Sequence, residues 1–171
     1  RAGWIQDKLY PVFDDVFYSG IAKTSPTISK DESVKLPYTV DQPKIRPDLE
    51  AEMLILLNEE RKKNGLNALL ADPELRNVAR AHSADMFARG YFSHINPDGE
   101  NPFYRISAAE INYLSAGENL ALAQTLQIAH TGLMNSPGHR ANILNPTFGR
   151  VGIGVQDGGI YGLMITQNFR N

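Results

Sequence analysis

The sequence predicts an α+β domain that follows an N-terminal extension. Apolar residues recur at helical spacing over several stretches between residues 48 and 144, and after Arg150 the pattern changes to the alternation of strands. Helices come first and strands last, without a regular β-α-β alternation, which favours the α+β class over a doubly wound parallel sheet. The 171 residues, of which 42% are hydrophobic, are enough to bury one core.

The first 46 residues differ in composition from the rest of the chain. Residues 1–18 hold apolar and aromatic side chains at a spacing that predicts a short amphipathic helix. From Ser19 to Arg46 the chain is polar and punctuated by prolines, with a brief strand-like stretch from Val34 to Val40. We therefore predict an extension or linker over residues 1–46 and a domain over residues 47–171.

Two helices are predicted at the start of the domain. The first begins with Asp48 as its cap and ends at Gly65, with a leucine- and methionine-rich face between them. The second is capped by Asp72 and stops at Gly90. The chain then leaves the helix in a loop that carries His94.

The next segment alternates short helices and loops. A short helix is expected over residues 102–109, a loop or strand edge over residues 117–120, and a helix over residues 122–135. Ser136 and Pro137 have the residue types of a helix cap and first helical position, so a further short helix should run to Leu144 and fix His139 at its start.

The carboxyl end is predicted to be an antiparallel hairpin. Val151, Ile153 and Val155 alternate with small or polar residues. Residues 157–159 read Asp-Gly-Gly, which is typical of a turn, and residues 160–169 return as the second strand.

Composition excludes several kinds of partner and site. With 17 basic and 19 acidic residues and a net charge of −2, the chain has no basic surface for nucleic acid or an anionic membrane. Because cysteine is absent, any metal site must use His, Asp or Glu. No apolar stretch reaches the roughly 20 residues that span a bilayer. The sequence starts at Arg1, so a signal or anchor is expected to be missing from it, and the amino terminus does not identify the compartment.

The four histidines have different contexts. His82 lies on the apolar stripe of its helix, and His130 lies on a helix without an acidic neighbour, so both favour structural roles. His94 follows an aromatic pair, His139 follows Ser-Pro-Gly, and Glu118 stands between Gly117 and Asn119. Two imidazoles and one carboxylate could form a divalent-metal site with open positions or a polar cluster in a cleft, and spacing alone leaves both open.

Eight segments, in this order, carry a resemblance to a known family. They are Leu57–Arg61, Ala81–Met86, Phe92–His94, Pro97–Gly99, Gly117–Ala121, Met134–Leu144, Val151–Val155 and Thr166–Gln167. Over residues 50–169 the chain resembles the CAP superfamily (cysteine-rich secretory proteins, antigen 5 and plant pathogenesis-related proteins), most closely its bacterial secreted, SCP-like branch. The resemblance implies secretion and a three-layer α-β-α sandwich with a small antiparallel sheet. It also implies a surface cleft in which the family gathers two histidines and two acids.

Only half of that set is present. The first histidine and first acid correspond to His94 and Glu118, whereas Ser136 stands where the second acid falls and Met164 where the second histidine falls. Leu133 replaces a tryptophan usual in its helix, which we interpret as a change in core packing. The bacterial branch carries His139 in its Ser-Pro-Gly-His-Arg motif, so we hypothesise that His139 supplies the missing imidazole.

The resemblance suggests a secreted or cell-surface module, more a binding protein than an enzyme. Its cleft would hold zinc or another divalent cation through His94, Glu118 and His139, together with an unidentified extracellular or cell-wall ligand. Because imidazole binds a cation only when neutral, affinity should fall as the pH drops through about 6.5. The sequence does not indicate an oligomeric state.

Three other functions stay open. A hydrolase could use Ser93 or Ser136 as nucleophile, a base among His94 and His139, and Glu118 to orient that base. Some relatives are credited with carrying lipids or sterols, although no lipid groove stands out in this sequence. The third alternative is that the domain is a stable extracellular spacer whose cleft is vestigial.

Overall fold

The computed structural model describes residues 33–171 and, as backbone, the strand Val12–Ser19. Five α-helices and eight strands lie in these residues, together with a 3-10 turn over Gly159–Tyr161. The helices are α1 (Pro47–Lys63), α2 (Pro73–Arg89), α3 (Pro102–Ala108), α4 (Leu126–Asn135) and α5 (Pro137–Ile143). The strands are β1 (Val12–Ser19), β2 (Val34–Lys35), β3 (Lys44–Ile45), β4 (Leu70–Ala71), β5 (Tyr91–Phe92), β6 (Ser115–Ala123), β7 (Arg150–Asp157) and β8 (Leu163–Arg170).

The main sheet has the strand order β1-β6-β8-β7-β3 with antiparallel neighbours, and β4 adds a short parallel pairing to β7. Strands β6, β8 and β7 form its centre: β6 pairs with β8 from Ala116 to Ala123, and β8 pairs with β7 along its full length. Strands β2 and β5 form a separate two-stranded sheet.

Helices cover both faces of the main sheet. Val151, Ile153 and Val155 of β7 pack into one core with apolar residues of α1, α4 and α5. On the opposite face, Leu120 and Met164 pack with residues of α2, while α3 contributes to a third cluster beside them. Alternate strand residues therefore serve alternate layers. The α+β class and the three-layer sandwich with a small antiparallel sheet are confirmed.

The helix boundaries agree with the sequence in α2 and differ in α1. Asp72 Oδ1 accepts a hydrogen bond from Leu75 N at 3.1 Å, and Gly90 closes α2 in the left-handed conformation at φ 66°. Helix α1 begins at Pro47, and its cap position is Arg46, not Asp48 as predicted. The Asp48 carboxylate lies within the first turn and accepts hydrogen bonds from Arg46.

Residues 117–120, predicted as a loop or strand edge, belong to the nine-residue strand β6, which is buried throughout. Strand β6 also takes residues 122 and 123, so α4 begins later than predicted, at Leu126, where Thr125 caps it. A strand covered on both faces lacks the alternation by which half-buried strands are recognised. At the hairpin, the 3-10 turn over Gly159–Tyr161 takes the first residues of the predicted second strand, which therefore begins at Leu163 and not at residue 160.

The amphipathic helix predicted over residues 1–18 is wrong where the structure describes the chain. Residues Val12–Ser19 form β1, which pairs antiparallel with β6, while residues 1–11 lie outside the described part. The β-branched and aromatic residues of this stretch suit a strand once a sheet edge is available to pair with. Residues 33–46 also pack on the domain, since Leu36 is buried and its amide donates to the Gly90 carbonyl at 2.8 Å. The boundary near Pro47 stays a prediction.

Candidate functional site

The four residues singled out from the sequence form two hydrogen-bonded pairs. In the first, His94 Nδ1 lies 2.7 Å from Glu118 Oε1. In the second, His139 Nδ1 lies 2.7 Å from Ser136 Oγ. Both imidazoles and the carboxylate are buried. Folding therefore gives each histidine a different partner.

Arg105 completes the first pair. Its Nη2 donates to both Glu118 oxygens, at 3.2 and 3.1 Å, and its Nη1 donates to the carbonyls of His94 and Glu100, each at 2.8 Å. Burial alone would raise the pKa of Glu118, but the charge of Arg105 and the hydrogen bond with His94 outweigh it and lower the pKa to about 2. Glu118 is thus an anion held between a guanidinium and an imidazole.

This arrangement sets the tautomer of His94. An ionised carboxylate only accepts hydrogen bonds, so Nδ1 of His94 carries the proton and donates to Glu118. In the neutral ring Nε2 is then the basic nitrogen. A carboxylate behind an imidazole is the arrangement by which proteins orient a histidine toward a metal ion or strengthen it as a base.

The second pair stands at the start of α5. Ser136 occupies the cap position as predicted, yet its hydroxyl makes no capping bond to the helix and contacts the His139 ring instead. The carbonyl of His139 accepts from Asn119 Nδ2 at 3.2 Å, and Asn119 Oδ1 accepts from Asn142 at 2.9 Å. These amide bonds fix α5 against β6.

Strand β6 separates the two pairs. Glu118 and Asn119 are consecutive in β6, so their side chains leave the strand on opposite faces. The His94 pair therefore approaches β6 from one side, and the backbone of His139 is tied to it from the other. Strand β1 runs along the outer edge of β6 between them, with Val16 opposite Glu118 and Asp15 opposite Asn119 in the register.

The other two histidines lie outside these pairs. His82 is buried and bonded to the Ser93 carbonyl at 2.8 Å, which agrees with its predicted structural role. Burial, followed by the charge of Arg105, lowers the pKa of His82 to about 4. His130 is also buried, with Nε2 at 3.9 Å from Glu60 Oε1 on α1, an acidic neighbour that its own helix does not provide.

The serines do not join the His94 pair in a Ser-His-acid series. Ser93 is fully buried, and its Oγ accepts from the amide of Ile95 at 3.0 Å. Ser136 contacts His139, whereas Glu118 orients His94. A catalytic triad requires the acid and the serine to bond the same imidazole. Here Glu118 bonds to the His94 imidazole and Ser136 to the His139 imidazole.

The candidate ligands do not by themselves form a cation site. Over residues 33–171, whose side chains the structure describes, no group of three His, Asp or Glu side chains is arranged to hold a metal ion. Both Glu118 oxygens already accept from Arg105, so this carboxylate fits as an orienting group better than as a direct ligand. Since Nδ1 of each imidazole is engaged, a cation would be held through Nε2 of His94 or His139. The three-ligand site stays a prediction.

Residues 54–169 match the sequence model of the CAP family, described as the cysteine-rich secretory protein family. The chain belongs to this family. It is 43% identical over 122 residues, 70% of its length, to the uncharacterized protein YkwD of Bacillus subtilis. It is 36% identical over 127 residues, 74% of its length, to the uncharacterized membrane protein YlbC of the same organism. The matched part spans 46% and 35% of these relatives' own lengths, which is less than half of either.

Solved structures of bacterial proteins share the fold. An extracellular protein of Bacillus anthracis that contains an SCP domain superposes with a TM-score of 0.63 at 31% identity, over 76% of this chain and 45% of that one. An outer surface protein of Borrelia burgdorferi superposes with a TM-score of 0.71 at 20% identity, over 76% of this chain and 98% of that one. The second likeness shows the fold alone.

Two of the three positions that depart from the family pattern have apolar roles here. Met164 is fully buried in the cluster formed with α2, and Leu133 is fully buried in the core beneath α4. The sequence did not single out Arg105, because one arginine in a seven-residue helix has no distinguishing pattern. Within the described residues, none of the helices has the length and hydropathy needed to span a membrane.

Proposed function

We propose that this chain is an extracellular or cell-surface binding module whose cleft engages its ligand through the imidazole of His94. The ligand set includes a divalent cation, with zinc the first candidate, and an extracellular or cell-wall molecule. His94 binds through Nε2, and Glu118 and Arg105 hold the ring without contacting the ligand. The module does not carry out catalysis.

The observation that supports this proposal is the buried His94–Glu118–Arg105 series. A buried carboxylate is costly unless it is paired, and here it has three hydrogen bonds from two partners. A ring held this firmly, with its tautomer set, is prepared for one ligand geometry. Hydrolysis by a Ser-His-acid triad is disfavoured, because Glu118 bonds to His94 whereas Ser136 bonds to His139.

The extracellular location is supported by a relative. The Bacillus anthracis protein, which is 31% identical to this chain, is described as an extracellular protein. Because the chain has no cysteine, an oxidising compartment would form no disulfide in it and would leave its candidate His and Glu metal ligands unchanged.

Zinc titration by calorimetry tests the cation. The wild-type chain, His94→Gln, Glu118→Gln and His139→Gln are compared at pH 7.5, with His130→Gln as matched control because that buried histidine lies away from the cleft. We expect His94→Gln to abolish binding and Glu118→Gln to weaken it about 10- to 100-fold without changing the stoichiometry, the size typical of a group that orients a ligand. The control should bind as the wild type does.

The His139→Gln variant tests whether the second imidazole also binds the cation. If this variant loses zinc binding, both imidazoles are ligands; if its binding is unchanged, His94 is the imidazole ligand and His139 is not. At pH 5.5 wild-type affinity should be lower, because protonated imidazole does not bind metal. Absence of zinc binding by the folded wild-type chain, or equal binding by His94→Gln, would overturn the cation proposal.

A further inference from the structure

The outer edge of β6 is occupied by a segment that lies outside the matched family region. Strand β1 pairs with β6 over eight consecutive residues, from Val12 opposite Leu122 to Ser19 opposite Ser115. The family match begins at residue 54, so the sheet of the family region itself ends at β6 on this side. We propose that this edge is a strand-addition site for an extended peptide of another polypeptide, and that Val12–Ser19 occupies it in cis.

The geometry is that of peptide recognition by strand addition. An edge strand presents unpaired amides and carbonyls, which an extended peptide satisfies along its length. Strand β6 is nine residues long, so its edge offers backbone partners along the full length of an eight-residue added strand. The rest of the sheet holds β6 in place through the eight pairs from Ala116 to Ala123 with β8.

The position of this edge links it to the candidate site. The centre of β1 has Asp15 opposite Asn119 and Val16 opposite Glu118, the two residues bonded to His139 and His94. Helix α5, which carries His139, also lies against β1. An added peptide would therefore pass between the two histidine pairs at its midpoint.

The occupant in this chain indicates the class of peptide. Val12–Ser19 reads Val-Phe-Asp-Asp-Val-Phe-Tyr-Ser, which combines β-branched and aromatic residues with two central acids. We assign the site to extended peptides of this composition. The cis segment then controls access, because an external peptide must displace it. Pairing uses the backbone of β6, so this inference does not depend on cation binding by His94.

The test weakens the cis strand in the full chain and offers the same sequence in trans. The variant carries Phe13→Pro and Val16→Pro; because these positions differ in parity, at least one proline removes an amide that faces β6. Binding of a fluorescent Val12–Ser19 peptide is measured by anisotropy. Ile45→Pro, in β3 at the opposite edge of the sheet, is the matched control.

We expect the double variant to bind the peptide at least tenfold more tightly than either the wild type or the control. Equal affinities in a variant that still melts cooperatively would overturn the proposal. A variant that forms dimers which the peptide does not dissociate would identify a second copy as the occupant and also overturn it.

A second measurement uses the unaltered chain, so the test does not depend on the folding of the double variant. The peptide carries a photo-cross-linking group at the position of Val16 and is added in excess to the wild type. Adducts mapped by mass spectrometry should lie in β6 or α5. Adducts that map elsewhere, or that a scrambled peptide forms equally, would contradict strand addition.

Discussion

Arg105 decides what Glu118 does in this fold. A carboxylate with a histidine nearby suggests a shared cation site when only the sequence is considered, and His94, Glu118 and His139 are expected on that basis to share one. In the structure both oxygens of Glu118 accept from Arg105, and His94 bonds to one of them. The residue types at the site could be predicted, but their pairing depends on a guanidinium that reaches Glu118 from helix α3.

Behind this pair, His82 gives the domain a pH-dependent stability. The neutral ring is buried with a pKa of about 4, whereas its pKa in the unfolded chain is about 6.5. The unfolded state therefore binds more protons between these values, so stability is full above pH 6.5 and falls as the pH drops toward 4. The loss is roughly 3 kcal/mol at most, from 1.36 kcal/mol per pKa unit.

Urea unfolding measured from pH 7 to 4.5 tests this effect in wild type and His82→Gln. The slope of unfolding free energy against pH should be shallower in the variant. The window stops at pH 4.5 because a second effect begins there. Below this pH Glu118 becomes protonated in the unfolded chain, whereas in the folded chain its pKa is lowered to about 2, so its contribution to stability is then lost as well. Equal slopes in the two proteins would show that His82 does not titrate as proposed.

At the scale of elements, β7 and α2 meet through glycines. A Cβ at position 154 would lie 2.3 Å from Arg80 N and 2.5 Å from Ala79 C, and one at position 152 would lie 2.2 Å from Leu75 C. The alternation of apolar and small residues predicts β7 as a strand. It does not reveal why the small residues are glycine, because the distance to α2 is a property of the packed layers.

Gly154→Ala should therefore destabilise the domain by about 3 kcal/mol, the upper end of the usual cost of overpacking, since the atoms in the way are helix backbone. Gly149→Ala is the matched control just before the same strand, because a Cβ added there would have no heavy atom within 4 Å, and it should change stability by less than about 0.5 kcal/mol. Chemical denaturation of both variants is the measurement. Similar stabilities for the two would show that α2 does not pack as closely as described.

Local signals predict some elements well and others poorly. Caps and periodicity predict α2 closely, because Asp72 and Gly90 act within their own helix. They miss strand β6, because burial on both faces removes its alternation. They indicate a helix where β1 forms, since the pairing of β1 depends on β6, about a hundred residues away in the sequence. Propensity is overridden where a distant partner supplies the hydrogen bonds.

For the whole molecule, one buried arginine shows how the layers are held together. Arg61 of α1 is fully buried and donates to the carbonyls of Ile143, Asn145 and Phe148, which join α5 to β7, as well as to Asn67. Burial lowers the pKa of this guanidinium, yet its bonds satisfy the charge. The architecture followed from the sequence through the family resemblance, whereas these long-range polar contacts could be found only in the folded chain.

The proposed function requires the domain to present Nε2 of His94, held by Glu118, to a ligand. The most direct test is long-range 1H–15N NMR of the histidine rings at pH 7.5, before and after zinc is added. We expect a His94 ring protonated at Nδ1 in the apo state, with zinc shifting the 15N resonance of Nε2 and leaving the His130 ring unchanged. A His94 ring protonated at Nε2, or one that does not respond to saturating zinc, would contradict it.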